Sequence, residues 1–170
     1  MDEKEDGLIL RALQASDGPR LVRMDERITG RNRSVWYERR LKRALEESDL
    51  NVSIGAEKDG VLVGAMLGSV QYGEFGVAEP VAVLETILVD ERHQRRGIGT
   101  AMLEQFVRNL SRLGVERIRT EVGWTEALAV FLGLHGFDLA PRLVLERSLA
   151  ADAGNGPAAS GSFSATPRSE

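Results

Sequence analysis

The densest chemistry in the 170-residue chain lies in Val89-Asp90-Glu91-Arg92-His93-Gln94-Arg95-Arg96-Gly97-Ile98-Gly99-Thr100, which runs from a β-prone segment into an amphipathic helix. A helix start presents N–H groups without intrahelical partners and the positive end of the macrodipole, an arrangement that favours phosphate. Gly97 and Gly99 lack Cβ atoms, so the main chain there can approach an anion closely. Arg92, Arg95 and Arg96 add positive charge. On residue types alone the stretch is equally a capping turn with solvated arginines. Other phosphate motifs fail on spacing: no GxxxxGK[ST] occurs, and a dinucleotide fold wants GxGxxG after the first strand of repeated βαβ units, whereas this turn comes late. The chain has no cysteine and only two histidines, His93 and His135. A thiolate nucleophile, a disulfide framework and a cysteine zinc site are therefore excluded, and no metal is expected.

The elements that position this turn follow from periodicity. Leu8 to Leu10 reads as a first strand, and Asp17 stands as N-cap of a helix reaching about Ile28. Val35, Leu41 and Leu45, with Trp36 and Tyr37, give a second helix from Ser34 to about Glu47. Val52, Ile54 and Ala56 alternate with more polar neighbours, and Asp59-Gly60 signals a hairpin into Val61 to Val70. After a YGEFG loop from Tyr72 to Gly76, Val81 to Val89 is a third strand of the antiparallel set. Ile98, Met102, Phe106, Leu110 and Leu113 mark one apolar helix face, which Gly114 ends. Glu116 to Val122 gives a strand, Thr125 to Leu134 a helix closed by Gly136, and Leu143 to Glu146 a last strand.

Composition bounds the rest. With 42% apolar and 28% charged residues the chain is an ordinary globular protein of one-domain size. Apolar runs such as Val81 to Leu84 fall far short of the roughly 20 residues a bilayer demands, so no membrane partner is expected. The acidic start, Met1 to Asp6, has no long apolar region after it, which points to a cytoplasmic protein. The last 21 residues, with six Ala, four Ser, three Gly and two Pro, cannot bury enough apolar surface to offset their ordering entropy. The expected division is a folded domain over residues 1–148 and a disordered tail over 149–170. A net charge of −4 and the lack of a basic strand face interleaved with aromatics argue against nucleic acid as a partner.

Gln94-x-x-Gly97-x-Gly99 matches the [RQ]xxGx[GA] signature of the GNAT superfamily of N-acetyltransferases, in the setting that family gives it, between a fourth strand and a third helix. The order of elements and the Gly136-Phe137 pair also resemble the family, over roughly Leu8 to Ser148. The resemblance implies an α/β fold with a central mixed, mostly antiparallel sheet flanked by helices and splayed between its fourth and fifth strands. It further implies acetyl-CoA as cosubstrate. The backbone from Gln94 through Arg95, Arg96, Gly97, Ile98 and Gly99 to Thr100 would hold its pyrophosphate. The main chain of Ile87, Leu88 and Val89 would pair with the pantetheine arm, one N–H polarising the thioester carbonyl. The activity implied is direct acetyl transfer to a primary amine of a small molecule or protein. The absence of cysteine agrees, because no Cys-linked acyl-enzyme can form.

Direct transfer needs a neutral amine, and Glu85 is the first candidate base. On a regular strand it shares a face with Val83, Ile87 and Val89; the other reading makes it a charge partner for an arginine. Glu121 is a second candidate, with a solvent-facing strand residue as its alternative. The family's Asn and acidic Tyr positions hold Thr125 and Leu132, so the usual proton donor to the leaving thiolate is missing. Tyr72 is the substitute named here, with Glu74 beside it in the loop; protonation by solvent is the alternative. A catalytically weak acyl-CoA sensor is the second functional reading. From Arg20 to Arg43 nine Lys or Arg face three Asp or Glu. This is either a solvated helical surface or, through Arg27, Arg31 and Arg33, an attractor for an acidic acceptor, with Trp36 and Tyr37 lining the site or joining the core. His93 is expected beside phosphate or solvent and His135 at a helix end. Homodimers are frequent in the family, and a homodimer is compatible with the chain.

Overall fold

The computed structural model describes residues 7–46, 51–72, 79–121 and 127–141. Five strands form one sheet in the order β1-β2-β3-β4-β5: β1 (Leu8–Ala12), β2 (Ile54–Lys58), β3 (Val61–Gln71), β4 (Val81–Val89) and β5 (Arg117–Arg119). The first four pair antiparallel and β4 pairs parallel with β5, which makes the sheet mixed and mostly antiparallel. The helices are α1 (Gly18–Thr29), α2 (Ser34–Leu45), α3 (Ile98–Arg112) and α4 (Ala127–Leu134). None of the described helices is long and apolar enough to cross a membrane.

Local chemistry explains the elements that matter. The β2–β3 hairpin turns on Asp59 (φ 51°) and Gly60 (φ 75°), the pair of positive φ angles that a tight primed turn requires. Asp17 sits at the start of α1 as expected, yet its carboxylate does not cap the helix. It accepts two bonds of 2.8 Å from Arg11 and one of 2.8 Å from the Gln14 N–H, tying β1 to the turn that launches α1.

The two faces of the sheet carry different helices. On one, Leu21 and Met24 of α1 and Tyr37 and Leu41 of α2 bury with Ala65, Leu67 and Leu88. On the other, α3 lays Ile98, Met102, Phe106 and Leu110 against the strands, all buried. Gly64 and Gly68 make room for it: a Cβ at Gly68 would stand 2.6 Å from the Phe106 ring and 3.1 Å from the Val83 carbonyl oxygen. Leu113, expected on the same face, is 46% exposed, because the helix ends at Arg112 and the chain turns away; Leu103 fills the buried face instead.

The chain divides into two compact units, residues 1–129 and 130–170. Of the second, residues 130–141 are described. There the His135 and Phe137 N–H groups donate to the Leu132 oxygen at 2.9 and 3.1 Å, around Gly136. The His135 Nδ1 lies 2.7 Å from the Phe131 oxygen, which bears out a helix-end role. The strand expected at Leu143 to Glu146, the tail, Thr125, and Glu74 with most of the YGEFG loop lie outside the described residues.

Candidate active site

Two irregularities of the sheet build the site. Leu67 pairs with Thr86 and Gly68 with Leu84, which leaves Glu85 as the extra residue of a β-bulge. The bulge resets the alternation of side chains. Val83 opposes Ser69 and shares a face with Glu85, whereas Ile87 opposes Met66, and Val89 opposes Gly64, whose open side meets Met102 and Ile98 of α3. The expectation that Glu85 shares a face with Val83, Ile87 and Val89 therefore holds for Val83 alone, because one inserted residue moves everything after it to the opposite face.

The second irregularity is an open edge. β4 pairs with β5 only through Val81, Ala82 and Val83, so among the described residues the β5 side of Leu84 to Val89 carries no strand partner. The Asp90 N–H donates to the Val63 oxygen at 2.8 Å, toward β3. By the two-residue alternation of an antiparallel ladder, Leu88 also faces β3, while the main-chain groups of Ile87 and Val89 point to the open side. Of the three strand residues named from the sequence, Ile87 and Val89 offer amides there and Leu88 does not. The Gln94 side chain donates to the Val89 oxygen at 3.0 Å, fastening the turn to that edge.

The turn itself alternates handedness: Gln94 is extended, Arg95 has φ 62° and Gly97 φ 81°. Left-handed residues set among right-handed and extended ones make successive N–H groups converge into an anion-binding concavity. Gly97 is the N-cap of α3, and a Cβ added to it would meet nothing within 4 Å, so backbone angle and not space demands glycine there. No side chain caps α3, and its first-turn amides at Ile98 and Gly99 have no acceptor within the helix. Gln94, Arg95, Arg96 and Gly97 are exposed, while the Ile98 side chain anchors the turn in the core.

Beneath the turn lies a buried carboxylate that sequence reasoning passed over. Asp90 accepts from the Arg92 N–H at 3.1 Å and pairs with Arg20 at 2.9 Å and Arg27 at 3.6 Å, with the His93 Nδ1 at 3.7 Å. Burial works against its ionisation, but the Arg92 amide, Arg20, His93 and Arg27 outweigh it and hold the carboxyl below the ordinary 3.8. Arg20 also donates to the Leu62 oxygen at 3.0 Å, so α1 clamps the junction of β3, β4 and the turn.

The Glu85 side chain is 3% exposed and already engaged: Arg40 of α2 donates to its Oε2 at 2.7 Å and the Ser69 hydroxyl to its Oε1 at 3.0 Å. Arg40 lies over the Trp36 ring at 5.2 Å, and Arg33 over the same ring at 5.1 Å. Arg33 in turn makes a two-bond pair with Asp25. Tyr37 belongs to the core; burial first, and then the Asp25 charge, push its hydroxyl above the usual range for a phenol. Of Arg27, Arg31 and Arg33, the first reaches Asp90 at 3.6 Å from an exposed position, the third is bound to Asp25, and Arg31 is exposed. Tyr72 is 57% exposed and follows Gln71, the partner of Val81, so it stands at least about 13 Å along the strand from Glu85 at ~3.4 Å per residue. Glu121 is exposed just after β5. A separate groove of about 620 Å³ between α1 and α2, lined by Gly18, Pro19, Val22, Tyr37 and Leu41 among others, includes no residue of β4 or of the turn.

With this geometry in place the family can be stated. Residues 20–137 match the acetyltransferase (GNAT) family model, and the chain belongs to that family. No curated protein sequence matches it. Among solved structures, it is similar to the ribosomal-protein-S18-alanine N-acetyltransferase from Escherichia coli, at 25% identity over 78% of this chain and 79% of that one, with a TM-score of 0.64. It is likewise similar to the aminoglycoside acetyltransferase meta-AAC0020 from an uncultured soil metagenomic sample, at 18% identity, 86% and 98% coverage and a TM-score of 0.63. The aminoglycoside N-acetyltransferase AAC(6')-Iy, solved in complex with CoA, shares 17% identity over 84% and 95% of the chains, with a TM-score of 0.66. The chain is thus an acetyltransferase by family.

Proposed function

We propose that the protein transfers an acetyl group from acetyl-CoA directly to a primary amine of a small molecule or a protein, as a cytoplasmic enzyme whose catalytic domain spans residues 1–148. The observation that carries this reading is the open edge of β4, to which the Gln94 side chain fastens a turn of converging amides after the short 3-10 turn Glu91–His93. The residues present suit the cosubstrate. Two outward main-chain positions two residues apart, Ile87 and Val89, can pair with an amide-bearing arm as a strand would, and the Gln94 to Thr100 turn can receive a diphosphate.

Acetyl-CoA, when bound, supplies a thioester whose acyl carbon bonds to the amine nitrogen as its carbon–sulfur bond breaks. In this reading the Ile87 N–H, fixed by the ladder, stabilises negative charge on the acyl oxygen. The Glu85 carboxylate, with lone pairs left beyond the Arg40 and Ser69 bonds, orients the amine and receives its proton directly or through water. Tyr72 remains a candidate donor to the departing sulfur; its exposure and separation from Glu85 favour protonation by solvent. The second reading, an acyl-CoA sensor, draws support from Leu132 at the family's tyrosine position and from the prior engagement of Glu85 by Arg40.

The test is twofold. Acetyl-CoA should raise the melting temperature, and free thiol should be released when a panel of amines is added. Binding without thiol release across the panel selects the sensor; a flat titration at millimolar ligand overturns both readings.

A further inference from the structure

We infer that Arg40 sets the charge preference of the acceptor, so that the site takes amines carried on acidic molecules in preference to polycationic ones. The inference rests on the acetyltransferase reading above and adds the substrate class. Glu85 lies two residues past the last β4–β5 pair, on the α1/α2 face, so an amine reaching an acyl group at the open edge meets Glu85 from the side of α2. That carboxylate already holds a cation. An ammonium can take its place only by displacing the Arg40 guanidinium, an exchange of like charges with little electrostatic gain.

Arg40 is not easily displaced. It stacks on Trp36, whose ring also receives Arg33, and Arg33 is fastened by two bonds to the buried Asp25. The remaining buried carboxylate of this region, Asp90, is taken by Arg20 and Arg27. Asp25, Glu85 and Asp90, the carboxylates held within this region, are thereby neutralised from within, while Glu26 and Glu38 stay at the exposed surface. The balance left over is positive: of the nine Lys or Arg and three Asp or Glu between Arg20 and Arg43, setting aside Arg20, Arg27, Arg33, Arg40 and Asp25 leaves five basic residues against Glu26 and Glu38. Arg40 uses one of its five N–H donors on Glu85 and is 35% exposed, so it can receive a carboxylate of the acceptor while it holds the carboxylate of the enzyme.

The test compares two tripeptide amines, an N-terminal alanine followed by two glutamates or by two lysines, as acceptors for the wild type, Arg40→Met and Arg40→Lys. The wild type should favour the acidic peptide by about tenfold or more in kcat/KM at low salt, with the preference shrinking in about 0.5 M NaCl. Arg40→Met uncovers the Glu85 charge and should abolish or reverse that ratio, mainly through acceptor KM, with the KM for acetyl-CoA unchanged. Arg40→Lys should retain most of it. The ratio between two substrates does not move with a general loss of folded enzyme, and the wild-type comparison needs no variant. Equal or better use of the lysine peptide by the wild type overturns the inference. So does an unchanged ratio in Arg40→Met, or turnover of neither peptide by protein that still binds acetyl-CoA and acetylates another amine. Failure to bind acetyl-CoA overturns the acetyltransferase reading itself.

Discussion

Replacing Gly97 by alanine isolates the backbone term at the turn. At φ 81° an L side chain costs about 1–2 kcal/mol, and because an added Cβ meets nothing within 4 Å no steric term joins it. The protein can respond in two ways. If the turn keeps its shape, stability falls by about 1–2 kcal/mol, a loss of roughly 2–8 °C in melting temperature for a chain of this size, and CoA affinity is nearly preserved. If the turn relaxes to negative φ, melting temperature is spared but the Ile98 and Gly99 amides swing away, and the same free energy appears as an affinity loss of about 5- to 30-fold. Gly97→Asn should show the smaller effect of the two variants, since asparagine visits the left-handed region more readily. Melting curves with and without CoA, together with a calorimetric titration, separate the outcomes. An alanine variant that melts within a degree of the wild type and binds CoA within twofold of it would refute the reasoning.

Gly68→Ala should be worse for stability, because the Phe106 ring at 2.6 Å is buried and the Val83 oxygen at 3.1 Å is main chain. A loss of about 2–3 kcal/mol by denaturant melt is expected, and a loss under 0.5 kcal/mol would mean that α3 shifts freely over the sheet. Acid should destabilise the fold through Asp17 and Asp90. Burial opposes ionisation of each, but Arg11 and the Gln14 amide for Asp17, and the donors described above for Asp90, hold both below 3.8 when folded. A depressed folded-state value gives stabilisation that is complete above about pH 4 and is lost as pH falls through the folded values; stability that stays flat down to about pH 2.5 contradicts this. Glu85→Gln should lower kcat at least tenfold with little change in the KM for acetyl-CoA, and equal rates across a pH series would remove it as proton acceptor. Tyr72→Phe should leave kcat within about twofold, and a loss of tenfold or more would restore Tyr72 as the acid.

Much of the fold is legible because its signals are local. The positive φ at Asp59 and Gly60 is written in the residue types, and the spacing from Ile98 to Leu110 marks the buried face of α3 one turn at a time. The Gln94 to Gly99 turn is likewise a local object, a strand end followed by a helix start with glycine where the backbone must turn left-handed. What escaped is non-local. Nothing in the periodicity of β4 reveals an inserted residue at Glu85, since the bulge exists only relative to β3. Arg40 and Glu85 are 45 positions apart, and Arg20 and Asp90 are 70 apart, so no spacing rule joins them. The alternative of Glu85 as an arginine partner was open from the sequence, yet only the packing of α2 over the sheet says which arginine. Arg33, offered from the sequence as a receptor for an acidic acceptor, is consumed by Asp25 on the neighbouring helix.

An amide-resolved NMR titration of the protein with CoA bears most directly on where a diphosphate and its pantetheine arm would lie. The N–H signals of Ile87, Val89, Gly97, Ile98 and Gly99 should shift together with a single saturation curve, while Leu88, turned toward β3, moves less. Shifts confined to the groove between α1 and α2, or none in the turn at millimolar CoA, would contradict the site.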